Sequence, residues 1–242
     1  MDLRTALQNI HSDERWWRKI LIGGALMMTI VGYPFSAGLV VENMDNARRG
    51  YPAPLPPWGD WSSRYLIGLF AWLIDFLYFA LPLLLAGMLF LCVGISSVIF
   101  KAEGAAHDIT RLIIGALVLY HSAMFLSGVS PVGRLIYVQD GSPENAMSSE
   151  ALREALRPGA RAIYFRARLV SLPAYLPFLL AIGGIVVVAQ APFALAVPLV
   201  LVMIWLALSA LLYAHLAVAQ IYVAADQVIE SRGLGRLNRE IG

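Results

Sequence analysis

The chain has a single cysteine, Cys92, inside an apolar run. One thiol can neither close an internal disulfide nor build a cysteine metal cluster. Charge is scarce as well: 14% of residues are Asp, Glu, Lys or Arg, against roughly 25% in soluble domains. The strict apolar–polar alternation of barrel strands is missing, which excludes a transmembrane β-barrel. Also absent are a Gly-x-Ser-x-Gly elbow, a phosphate-binding Walker loop, a His-Glu-x-x-His pair and paired carboxylates within the apolar runs. Glu103, His107 and Asp108 match no zinc or two-metal spacing. No catalytic residue and no metal ligand is therefore expected, and the chain reads as non-enzymatic.

What the chain has in abundance is hydrocarbon. Hydrophobic residues make up 59% of it and the mean hydropathy is +0.69. They gather in runs that approach or exceed the ~20 residues a helix needs to cross a bilayer. Backbone amides in lipid must be satisfied within the segment, so the runs are read as helices. The expected fold is an all-α polytopic transmembrane bundle of about five spans, with six as the alternative. The expected location is a prokaryotic inner or plasma membrane.

The chain divides by pattern. Residues 1–19 place Leu3, Ala6, Leu7 and Ile10 on one helical face, predicting an amphipathic interfacial segment. Ile20–Val41 follows Trp16 and Trp17 and is too long for the apolar region of a signal peptide, so it is read as a retained first span. A polar connector then carries Arg48, Arg49, a proline-rich stretch, Trp58 and Trp61. Tyr65–Phe100 is longer than one crossing requires, and Pro82 is the expected break. On that reading Tyr65–Tyr78 lies in the interface and the stretch from Leu81 spans; if both pieces span, the count becomes six. Further spans are expected near Thr110–Ser130, Leu169–Val188 and Phe193–Val223, before a charged tail with Arg232, Arg236 and Arg239. The arginine-rich connector from Arg134 to Arg168 is placed in the cytoplasm by the positive-inside bias in both counts.

Displacing the chain against itself by 95 positions lays Leu81-Pro82-Leu-Leu-Leu-Ala86 over Leu176-Pro177-Phe-Leu-Leu-Ala181. The same displacement lays Gly38–Asp45 over Gly133–Asp140. An internal tandem repeat is expected, with residues 20–105 and 106–190 as its halves and 191–242 as a final span and tail.

The pattern Gly32-Tyr33, Arg49-Gly50, Leu55-Pro56-Pro57-Trp58, Asp60, Gly68, Tyr78 and Pro82 resembles a prokaryotic integral-membrane family catalogued only as a domain of unknown function. Asp13, Trp17, Lys19 and Gly23-Gly24 resemble that family's entry to its first span. The resemblance covers most of the chain and is most specific between Trp17 and Pro82. It implies a polytopic architecture and no particular activity, substrate or cofactor.

Chemistry is then sought where ionisable groups enter apolar runs, because such groups are costly there. Asp75 is the intramembrane candidate, either as a cation or proton site or as a structural group that snorkels to the boundary or pairs with an arginine such as Arg64 or Arg111. His121 and His215 are the candidate cofactor ligands, since two helical imidazoles can hold haem or chlorophyll. The competing reading makes them interhelical hydrogen-bonding groups, and no cofactor is expected beyond bound lipids. Arg48, Arg49, Trp58 and Trp61, with Arg153, Arg157 and Arg161 recurring every four residues across a helix-interrupting Pro158-Gly159, are expected to meet lipid headgroups or an acidic partner surface. Membrane lipids and other integral membrane subunits are the expected partners, and nucleic acid is not. The leading expectation is a non-catalytic accessory subunit of a larger membrane complex. A small transporter or channel, suggested by the repeats and by Pro34, Pro82 and Pro177, is the alternative, with a haem- or chlorophyll-ligating subunit as the third reading.

Overall fold

In the computed structural model, residues 2–100, 103–190 and 192–234 are described; the tail arginines Arg236 and Arg239 lie outside them. All regular structure among these residues is helical. Among the described residues four helices are long and apolar enough to cross a membrane: Trp61–Ile99, Gly104–Ser127, Arg161–Val188 and Leu195–Ser231. The protein is thus a multi-pass membrane protein built as a helical bundle.

The first apolar stretch departs from the expectation. Ile20–Val41 is not one span but parts of two helices, α2 (Trp16–Met27) and α3 (Tyr33–Arg48). Pro34 sits in the first turn of α3, where its missing donor costs nothing. The Thr29 hydroxyl accepts from the Gly32 amide at 2.9 Å and closes the turn between the helices. Ile30 and Val31 at this turn are 86% and 69% exposed, an apolar tip suited to a hydrocarbon surrounding. Ahead of it, α1 (Leu3–His11) buries Ala6 and Ile10. Its apolar face docks on α12 (Phe193–Ser231) rather than being left to a lipid surface.

The long run after the proline-rich connector also differs. α4 (Trp61–Asp75), a π-helical segment Phe76–Ala80 and α5 (Leu81–Phe100) follow one another without interruption. The 39 residues of Trp61–Ile99 make a rod of about 58 Å at ~1.5 Å per residue. Pro82 does not break the helix. It removes the amide that would bond Tyr78 O, and the wider π turn absorbs the misfit. The carbonyls so freed are taken by the next helix, α6 (Glu103–Ser127): the Tyr120 hydroxyl donates to Tyr78 O at 3.1 Å, and His121 Nε2 lies 3.0 Å from Phe79 O. The root of the α5–α6 hairpin is thereby fixed.

The second half continues with α7 (Val129–Asp140), α8 (Pro143–Met147), α9 (Ser149–Leu156), α10 (Arg161–Ser171), a 3₁₀ turn Leu172–Tyr175, α11 (Leu176–Val188) and α12. The displacement that carries Leu81 to Leu176 also carries α3 to α7, α4 to α10, the π segment to the 3₁₀ turn and α5 to α11. Both helical irregularities lie just ahead of a Leu-Pro pair.

The core sits in a base where the second half of α12 is surrounded by α1, α2, α3, α7 and α10. Gly23 and Gly24 let α2 approach closely: a methyl on Gly24 would meet the Ser209 backbone nitrogen at 2.7 Å. The Trp205 indole donates to Leu21 O at 2.9 Å and bolts the same contact. α3 meets α4 through Gly38 and Gly68. Above the base, α5–α6 and α11 with the start of α12 extend as two largely uncovered apolar hairpins.

Candidate functional site

A cavity of about 230 Å³ lies where the two hairpins meet the base. Its walls come from α3 (Val40, Met44), from Asp75 and Phe79, from Phe125, Ser130 and Arg134, and from Arg168, Tyr175 and His215. A void of this size holds several waters or a small polar group.

Asp75 ends α4 one residue before the π segment, which aims its carboxylate across at α7. There it accepts from the Ser130 hydroxyl and from Arg134 Nη2. Its partner is thus Arg134, not Arg64 or Arg111. Arg64, 3% exposed, instead pairs with Glu42, donates to Pro57 O at 2.8 Å and packs over the Trp58 ring. Arg134 is buried behind Asp75 and its Nε has no hydrogen-bond partner.

Arg168 faces the same cavity from α10 and is 3% exposed. Its guanidinium carbon lies 4.4 Å from the Phe125 ring centroid and 5.4 Å from that of Tyr222. Its guanidinium makes a long hydrogen bond from Nη1 to the Tyr175 hydroxyl at 3.5 Å and also approaches the Tyr222 hydroxyl, while its Nε is unsatisfied. No carboxylate among the described residues forms an ion pair with it. The cavity therefore holds two guanidiniums and one carboxylate.

The two candidate histidines are placed differently. His215 lines the cavity and meets the Tyr175 ring edge-on, with centroids 6.2 Å apart. His121 does not line it. Its Nδ1 lies 2.8 Å from Leu117 O and its Nε2 faces Phe79 O, so ligation by His121 would first break one of these contacts. It thus fills the interhelical hydrogen-bonding role. Among the described residues no cluster of three or more His, Cys, Asp and Glu side chains stands together as a metal site.

The connector residues are dispersed. Arg48 pairs with Glu230 at 3.7 Å, and exposed Arg49 pairs with Asp45 at 2.8 Å; the hydrogen bond that Arg49 donates to Asp45 pushes its guanidinium further up from its ordinary pKa. Trp58 donates to Lys19 O at 3.2 Å and stacks on the half-exposed Trp61 ring. Arg153, Arg157 and Arg161 do not share a helical face. α9 ends at Leu156, α10 begins at Arg161, and Arg157 turns inward to Glu154 and Leu234 O.

Sequence reasoning named Asp75 and His215 but missed Arg134, Arg168 and Ser130 as cavity residues. Arg134 and Arg168 were assigned to a solvated basic connector, and only their lack of acidic neighbours in sequence hinted otherwise. Neither the curated proteins nor the solved structures contain a match to the chain. Residues 21–189 match the family described as "Protein of unknown function (DUF4013)". The chain, a multi-pass helical membrane protein, belongs to that family.

Proposed function

We propose that the protein is a non-catalytic subunit that packs its apolar hairpin α5–α6 against another integral membrane protein. The observation that carries this reading is the isolation of the hairpin. None of the Gly104–Ser127 window is buried, and α5 touches chiefly α6 and the π segment at its root. Val98 and Leu112 on this hairpin are 80% and 74% exposed. Gly87, Gly94 and Gly115 have open space where a side chain would be. Small residues on a membrane helix allow close approach by a neighbouring helix, and here none comes from the described residues of the chain.

The test separates folding from docking. The first carbon of Gly87→Leu or Gly115→Leu meets nothing within 4 Å, so thermal stability in detergent is expected to stay within about 0.5 kcal/mol of wild type. A photo-cross-linker at Val98 or Leu112, activated in native membranes, is expected to capture one discrete protein. That adduct is expected to weaken at least several-fold in the glycine variants. Lipid adducts alone, together with a monomeric particle from mild extraction, would refute the subunit reading.

A second reading, a small permease, is favoured by the polar cavity and by the paired irregularities ahead of Pro82 and Pro177. Saturable solute uptake by proteoliposomes would select this reading over the first.

A further inference from the structure

We infer that the cavity at the root of the hairpins is an anion site, with Arg168 as its anchor, for a carboxylate or phosphate group. The inference stands apart from the choice between subunit and permease. It rests on a mismatch of charge. A buried guanidinium is costly unless a counter-charge accompanies it. Arg64, Arg134 and Arg157 each have a carboxylate in contact. Arg168, as buried as Arg64, has none.

The aromatic faces of Phe125 and Tyr222 hold the guanidinium plane and contribute cation–π attraction. They neutralise no charge, and the Arg168 Nε is left without an acceptor. Asp75 is already engaged by Ser130 and Arg134. An anion beside Arg168 would supply the missing charge and acceptors, and a planar guanidinium suits the two-oxygen edge of a carboxylate or phosphate. The Tyr175 hydroxyl and the His215 ring, on the same walls, add polar groups that can orient such a ligand. The remaining wall, with Val40, Met44 and Phe79, is apolar. A small anion or the headgroup of an anionic lipid satisfies the same chemistry.

Two titrations of the purified, full-length protein test this. In a non-ionic detergent, inorganic phosphate is added at constant ionic strength against chloride while the melting temperature is followed. In parallel, the protein is placed in nanodiscs of phosphatidylcholine with rising phosphatidylglycerol, and retained lipid is counted by native mass spectrometry. A saturable rise in melting temperature with phosphate identifies a small-anion site. Retention of one phosphatidylglycerol over phosphatidylcholine, without a phosphate response, identifies a lipid headgroup site. Either supports the inference if Arg168→Gln weakens the response at least tenfold and Arg168→Lys retains part of it, while exposed Arg4→Gln leaves it unchanged. No saturable response of the wild type to either anion overturns the inference, whether or not the variants fold. So does an Arg168→Gln protein that responds like wild type.

Discussion

Asp75→Ala is expected to destabilise the protein by about 3–5 kcal/mol, the usual consequence of removing one partner of a buried ion pair. Arg134 is 5% exposed, and Asp75 is its only ion-pair partner among the described residues. With the carboxylate gone, a guanidinium remains in an apolar setting and the Ser130 hydroxyl loses its acceptor. Most of the loss is the uncompensated charge, not the worth of the pair. The double variant Asp75→Leu with Arg134→Met is therefore expected to recover most of it, since exchanging a whole buried pair for apolar groups is often neutral or favourable. Unfolding of the four members of this cycle in detergent gives the coupling. An Asp75→Ala protein as stable as wild type would mean that the pair is solvated, and the site would lose its organising contact.

Gly68→Ala should be at least as severe. A methyl at this position would lie 1.7 Å from Pro34 O and 2.6 Å from the Gly38 amide nitrogen, both backbone atoms. No rotamer change relieves a clash with backbone. The helices α3 and α4 would have to separate, and overpacking of this kind costs ~3 kcal/mol or more. Separation would also disturb the Glu42–Arg64 pair, which spans the same two helices. Gly87→Ala is the matched control, since nothing lies within 4 Å of its added carbon. A Gly68→Ala protein that melts with wild type would show that α3 and α4 do not approach as closely as described.

These two sites show how far the sequence could be read. Gly68 stood out in the family pattern, but what made it matter was invisible: Pro34 and Gly38 are some thirty residues away and meet it only when two helices cross. Asp75 was recognisable because a carboxylate in an apolar run is costly wherever it lies. Its partner was not, because Arg134 sits in a connector whose composition resembles a solvated, lipid-facing segment. The arginines at 153, 157 and 161 recur at a helical spacing, but Pro158-Gly159, visible in the sequence itself, interrupts the helix, and the three side chains go to different surroundings. The Pro82 expectation failed for a related reason. A proline removes one hydrogen bond, but whether the helix breaks depends on who accepts the freed carbonyls, and Tyr120 and His121 were waiting on α6.

Hydropathy and charge alone settle that the chain is helical and crosses a membrane more than once. The transfer energy of an apolar run depends on its own composition and length, so this information is local. Where the crossings begin and end is not local. Ile20–Val41 is apolar enough for a span, but the turn at Thr29–Gly32, followed by Pro34, divides it into two helices, and Gly23 and Gly24 let the first of them pack on α12. The cavity is less local still, being lined from five separate stretches of chain between Val40 and Ala219. Which buried charges find partners there, and which one is left without, is set by three-dimensional proximity in a low-dielectric interior, a property that no single segment carries.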